Sequence, residues 1–248
     1  WTLDINGNVN TFASMTHVRN GTDAGTGALA SAPLATGENR DKQMAIDSGL
    51  LPSWLGVTGK TRQNDLDVEF TISLQPGVSD NHAHGDFTQP VLNRQTYVSF
   101  GDKSWGTVKL GKDLGIFGST AILNDMTLLG VGAGAAMSGG STTLGGIGSG
   151  YIYAGWKGQV AYTTPNFNGF QATVALTNPN QLPQANTNNS IFDGAASNSL
   201  TNDPINQDRP GFEGKASYSF AADALAGKIW VSGVTYDVNT SKTTGQGH

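Results

Sequence analysis

Strict alternation of apolar and polar residues over a full strand length is the feature that most limits what this chain can become. In Leu66-Asp67-Val68-Glu69-Phe70-Thr71-Ile72-Ser73-Leu74 every second residue is apolar and every residue between is polar. Successive side chains of a strand point to opposite faces, so this segment carries one apolar and one hydrophilic surface along its whole length. The same period runs through Trp1, Leu3, Ile5 and Val9; Thr96, Val98 and Phe100; Phe170, Ala172, Val174 and Leu176; and Phe212, Ala216, Tyr218 and Phe220. Strands of this kind separate two solvents.

Composition narrows the solvents. The 248 residues are 37% hydrophobic and 13% charged, with 34 glycines, and mean hydropathy is -0.26. A membrane helix needs roughly 18 or more consecutive apolar residues, and the best stretch, from Thr120 to Met137, is broken by Asn124, Asp125 and three glycines. Disorder is equally disfavoured, because aromatic and β-branched residues recur at strand spacing. A transmembrane barrel reconciles these facts: its outer band is apolar and its lumen polar, so the average looks like that of a soluble protein. With no cysteine, the chain has no disulfide, thiol nucleophile or thiolate metal site. The net charge of -5 is spread along the chain and forms no basic stripe, so no nucleic-acid partner is expected. Trp1 already stands in a strand pattern, so any secretory signal is expected to have been removed or never included.

Nine strand candidates follow, near 1-13, 44-59, 65-75, 93-101, 106-113, 151-164, 169-177, 210-220 and 228-238. Thr61 to Asn64, Asp102 to Trp105, Pro165 to Asn168 and Ala221 to Gly227 are short connectors. Those at 14-43, 76-92, 114-150 and 178-209 are long and rich in Gly, Ser, Asn and Thr. Long structureless loops are uncommon in compact soluble domains, but short turns at one rim and long loops at the other are the rule in bacterial barrels. The expected fold is therefore all-β: one transmembrane antiparallel barrel domain over residues 1-248, with short periplasmic turns and long extracellular loops. A bacterial barrel closes with an even strand number, so nine strands and a polar run from Asn239 to His248 lead us to expect further strands downstream; strand pairs hidden near Ile122 to Val131 are the alternative.

Three segments carry a family likeness: Ser53-Trp54-Leu55-Gly56-Val57-Thr58-Gly59-Lys60; Arg94-Gln95-Thr96-Tyr97-Val98-Ser99-Phe100-Gly101 with Trp105-Gly106-Thr107-Val108-Lys109-Leu110-Gly111-Lys112; and Val160-Ala161-Tyr162-Thr163-Thr164-Pro165-Asn166-Phe167-Asn168-Gly169-Phe170. In this order they resemble the general porins of Gram-negative outer membranes, over about residues 1 to 238. The resemblance implies a sixteen-stranded barrel in a homotrimer, set in outer-membrane lipid and lipopolysaccharide. It would pass ions and small hydrophilic solutes by passive diffusion, with no cofactor and no chemistry. It also implies that the third long loop, 114-150, folds into the lumen as the constriction, and that the loop at 76-92 touches the adjacent subunit.

The residues of that third loop support the analogy. Leu114, Ile116, Phe117, Ile122, Leu123, Leu128 and Leu129 are too apolar for a segment left in water. Folded inward, the loop would offer Asn124 and Asp125 to the pore; packed over the rim or on a neighbouring subunit, it would not. In porins of this type wall arginines face acids on the loop. Here Lys112 matches one basic wall position with Asp125 opposite, Trp54 stands where an arginine is usual, and the loop lacks Pro-Glu-Phe-Gly. Alternation turns Asp67, Glu69, Lys109, Lys157, Glu213 and Lys215 toward the lumen, a mixture of signs from which weak ion preference is expected. Trp1, Trp105, Tyr162, Phe167 and Phe220 are candidates for the aromatic girdles at the lipid-water boundary.

Other motifs point elsewhere and lack support. His82-Ala83-His84-Gly85-Asp86 has the H-x-H-x-D spacing of binuclear zinc hydrolases, but His17 and His248 are the only other histidines. Gly56 to Thr61 misses the first glycine of a phosphate loop, which would fall on Trp54. Gly130 to Ala135 lacks the strand, helix and acid of a dinucleotide site. A hydrolase using Asp67 and Glu69 would need a positioned partner that the sequence does not show. The competing class is a secreted soluble β-sandwich binding protein, which would hide the apolar face that a barrel shows to lipid. If Lys112 lines the constriction, Lys112→Glu is expected to shift the reversal potential toward cations.

Overall fold

The computed structural model describes residues 1-17, 42-77, 91-131, 154-178, 209-222 and 225-236. In chain order the elements are β1 (Thr2–Asn8), β2 (Phe12–His17), β3 (Lys42–Asp47), β4 (Trp54–Gln63), β5 (Leu66–Leu74), β6 (Thr96–Asp102) and β7 (Gly106–Leu114). A short helix α1 (Ser119–Leu123) follows, then β8 (Trp156–Thr163), β9 (Phe170–Thr177), β10 (Gly211–Ala222) and β11 (Leu225–Thr235). One nine-stranded sheet runs β1-β4-β5-β6-β7-β8-β9-β10-β11, every neighbour antiparallel. Each of the nine expected segments contributes one strand to it.

β2 and β3 form a separate two-stranded sheet: β2 continues past the expected strand end at 13 into the expected loop 14-43, and β3 spans the end of that loop and the start of the expected strand 44-59. The two ribbons are out of register because three residues, 9-11, face six, 48-53, at the junction. Polar bonds fill that mismatch: the Asn10 backbone N–H donates to Ser53 Oγ at 3.0 Å, and Asn10 Nδ2 donates to the Leu51 carbonyl at 2.7 Å.

The short turns follow from residues that tolerate left-handed backbone. Gln63 pairs with Leu66 across Asn64 and Asp65, whose φ values are 51 and 62. Phe167 bridges Phe170 across Asn168 and Gly169, at φ 51 and 97. Both are two-residue hairpins of the primed type, whose twist matches that of the flanking strands. The β4-β5 turn thus falls at 64-65, which lengthens β4 by four residues beyond the expected end at 59.

Register fixes the faces. Glu69 pairs with Lys60 and Ser99, Thr71 with Thr58 and Tyr97, and Glu213 with Ala175. Cross-strand pairs share a face, so most polar residues of the strands, though not Thr61, Thr96 and Lys112, which lie on the opposite face, join into one surface. On that surface Thr71, Ser73, Ser99, Gln159, Thr177 and Ser217 are buried. On the other, Leu3, Ile5, Ile72, Val98, Val174, Phe212, Ile229 and Val231 are exposed. This inverts the arrangement of a water-soluble domain, where each such apolar side chain would gain about 1.5–3 kcal/mol by leaving water. Two aromatic rings smooth the apolar face by covering glycines of the next strand: Phe70 lies over Gly59 and Phe220 over Gly227.

A side chain at Gly169 would combine φ 97 with a Cβ only 2.2 Å from the Ser219 carbonyl oxygen. Gly169→Ala is expected to cost about 1–3 kcal/mol, read as a lower unfolding midpoint of the detergent-folded protein. An unchanged midpoint would mean that the turn is not strained by a side chain.

Candidate functional site: the polar face and its inward segment

After Leu114 the chain leaves the wall and lies on the polar face. Gly115 makes the exit: its N–H donates to the Gly155 carbonyl at 2.8 Å, and a Cβ there would meet the Ala154 carbonyl at 2.3 Å and Lys157 Cε at 2.9 Å. The next two backbone N–H groups, of Ile116 and Phe117, donate to Glu213 Oε2 on β10 at 2.6 and 2.8 Å. Gly118, at φ 76, turns the chain into α1. Asn124 ends that helix, and its Nδ2 donates to the Thr120 carbonyl at 2.7 Å. Asp125 folds the following turn by accepting from the Thr127 N–H and hydroxyl, both at 2.8 Å. Finally the Leu50 N–H, just ahead of β4, donates to the Gly130 carbonyl at 2.9 Å. The segment therefore runs from β10 to the approach of β4, six strands away in the sheet, across the polar face.

The wall beneath it is charged and mostly self-neutralised. Lys157 Nζ lies 2.6 Å from Glu213 Oε1, with side-chain exposures of 7% and 0%, so this pair is removed from water. Breaking such a pair from one side costs about 3–5 kcal/mol, because the survivor is left buried and uncompensated. Lys109 pairs with Asp113 at 2.5 Å and lies over the Tyr97 ring, 4.5 Å from its centroid. Gln95 Nε2 donates to the other oxygen of Asp113 at 3.1 Å. Lys215 Nζ donates to Ser119 Oγ at 3.3 Å and meets no carboxylate among the described residues.

Toward the short turns a second charged group lines a cavity of about 910 Å³ that residues of β1, β4, β5, β6, β7, β8 and β9 share. Arg62 reaches Asp67 at 2.7 Å and Asp102 at 2.8 Å, and Lys60 reaches Glu69 at 3.0 Å. Tyr97 Oη donates to Glu69 at 3.1 Å. Laid flat, β1 and β9 would stand six strand spacings, about 29 Å, apart. That Thr2 and Gln171 line one cavity shows that the sheet curls with its polar face inward.

The structure sorts the sequence candidates. Asp67, Glu69, Lys109, Lys157, Glu213 and Lys215 lie on the polar face, and Trp54 joins them, its Nε1 donating to Asn6 Oδ1 at 3.0 Å. Asn124 and Asp125 are on the inward segment. Lys112 is not with them: it pairs with Thr96 and Gly158, on the face of Leu110 and Val160. Lys109 and Lys112 are three residues apart on one strand, so they point to opposite sides. Asp113, beside Lys112, is the polar-face residue. Lys60, Arg62, Asp102 and Asp113 were missed; continuing the period of β4 past residue 59 would have found the first two. Gly56 to Thr61 is part of β4, while the histidine motif at 82-86 and most of the loop at 76-92 lie outside the described residues.

A family model described as Gram-negative porin matches residues 2–247. No curated protein matches the sequence.

The two Thr127 donors hold the Asp125 carboxyl below the usual carboxylate range, the backbone N–H contributing most and the hydroxyl next, against a smaller opposing effect of desolvation. A carboxyl depressed in the folded state contributes stability above its ordinary pKa and loses it as pH falls through the lowered value. Thr127→Val removes one donor and keeps the other. The Asp125 titration midpoint, followed by carboxyl-carbon NMR, is expected to rise part of the way toward the ordinary value; an unmoved midpoint would show that the hydroxyl does not hold the turn.

Proposed function

From the premise that this chain belongs to the Gram-negative porin family and sits in the outer membrane, we propose that it is a passive diffusion channel for ions and small hydrophilic solutes. The observation that carries this reading is the curled sheet with its polar face inward and a chain segment laid across that face. Solutes would pass between the segment and the opposite wall, where fixed charges act across a narrow passage of low dielectric. Asp125 and Asn124 would stand at the narrow zone with Trp54 near it, and Asp67, Glu69, Lys109, Lys157, Glu213 and Lys215 would line the way.

The pairing of wall charges supports weak ion preference. A carboxylate locked to a lysine or arginine presents little net field to a passing ion, and most of these charges are so locked. Lys215 stands outside the pairs and adds positive potential beside α1.

The reading includes a homotrimer with sixteen strands per barrel in contact with lipid and lipopolysaccharide. Among the described residues β1 and β11 each pair on one side only. Unpaired backbone groups cost several kcal/mol each in hydrocarbon, so in this reading both edges are paired within the closed barrel.

Single-channel recording in a planar bilayer under a salt gradient tests the proposal. Stepwise conductance in groups of three, with a reversal potential near zero, is expected. Folded, detergent-stable protein that inserts and conducts nothing would contradict it. Lys112→Glu is now expected to leave the reversal potential unchanged, whereas Lys215→Glu shifts it toward cations; the opposite pattern would mean that the strand parity of β7 or β10 is wrong.

A further inference from the structure

The inward segment is tied to the wall at its neck by a single carboxylate. Glu213 lies 97 residues from Ile116 and 96 from Phe117 in sequence, and its side chain is wholly buried. Its two oxygens divide the work. Oε2 accepts both N–H groups of the segment, while Oε1 faces the wall, accepting from Lys157 Nζ at 2.6 Å and Thr177 Oγ1 at 3.4 Å. The donors on the segment are backbone groups, so what is fixed is the path of the main chain.

Beyond the neck, the segment among the described residues is tied to the wall by the bond from Lys215 to Ser119 Oγ and to the approach of β4 by the backbone bond between Leu50 and Gly130. α1 has five residues, far short of a length that is stable alone in water. Charge-assisted hydrogen bonds are roughly twice as strong as neutral ones; the two to Glu213 are short, at 2.6 and 2.8 Å, whereas the Lys215 bond is stretched to 3.3 Å and the Leu50–Gly130 bond is neutral, so Glu213 is the strongest of these ties.

We infer that Glu213 is the positioning residue of the channel: by anchoring the backbone at 116-117 it sets how far segment 118-131 stands from the wall, and so the width of the passage. The inference rests on the porin reading for the meaning of that width. Lys157 and Thr177 act through Glu213 by holding its carboxylate at the right height on β10.

These 248 residues contain no cysteine, and Met126 on the segment is fully exposed, so Met126→Cys gives a site for a nitroxide label that is unique among them. Label mobility and single-channel conductance are to be compared between that protein and the same protein carrying Glu213→Gln, which keeps an acceptor oxygen but loses the charge. Faster label motion, with a shifted conductance and new substates in a variant that still forms heat-stable folded protein, is expected. Glu213→Asp keeps the charge and shortens the reach; it should show a smaller change of the same sign, and it carries the comparison if the Gln variant does not fold. Unchanged label motion and conductance in folded variants would overturn the inference and leave the porin reading intact. Absence of conductance from the protein with natural Glu213 would overturn the porin reading and the inference about width with it.

Discussion

A sheet that stands between hydrocarbon and water depends on strand parity, since a slip of one residue would turn every side chain to the wrong solvent. Here parity holds from β1 to β11. Thr58, Thr71, Tyr97, Lys109, Ala161, Ala175 and Glu213 all fall on one face through successive cross-strand pairs. Leu3, Val98, Val174 and Ile229 fall on the other. The turns serve the same end, because two-residue primed hairpins at 64-65 and 168-169 leave no slack for a shift in register.

Within that frame the polar face also carries the segment that follows β7. The charges of this face form two groups, one under the inward segment around Asp113, Lys157 and Glu213, and one near the short turns around Arg62 and Glu69. The first is buried and structural: it consumes its charge in pairing and in receiving the segment. The second is more open to solvent, with Arg62 and Asp67 about half exposed, and screening by salt weakens its pairs. Outside such pairs stand Lys215, at the first residue of the segment's helix, and Asp125, just past its last.

Much of the fold could be read from the residues, because a period of two is visible wherever it is unbroken. β5 and β10 are the plainest examples. β2 and β3 were obscured at 9-11 and 48-53, where a register mismatch is absorbed by Asn10 and Ser53, a tertiary bond that no local pattern announces. The charged wall was legible to the same degree. Six candidates chosen by alternation lie on the polar face, while Lys112, chosen by likeness to a family position, lies on the other. The anchoring of Ile116 and Phe117 on Glu213 was not legible, since backbone donors leave no mark in a sequence and the partners are nearly a hundred residues apart.

The central claim is that one face of this sheet meets water within a membrane and the other meets lipid. Cysteine scanning along β5, from Leu66 to Leu74, in protein reconstituted into bilayers tests it most directly, because these 248 residues contribute no thiol background. A charged, water-soluble thiol reagent is expected to modify cysteines at positions 67 and 69, on the open part of the polar face, and to spare those at 68, 70 and 72 as well as the buried positions 71 and 73. Uniform reactivity, or the reverse alternation, would contradict the account.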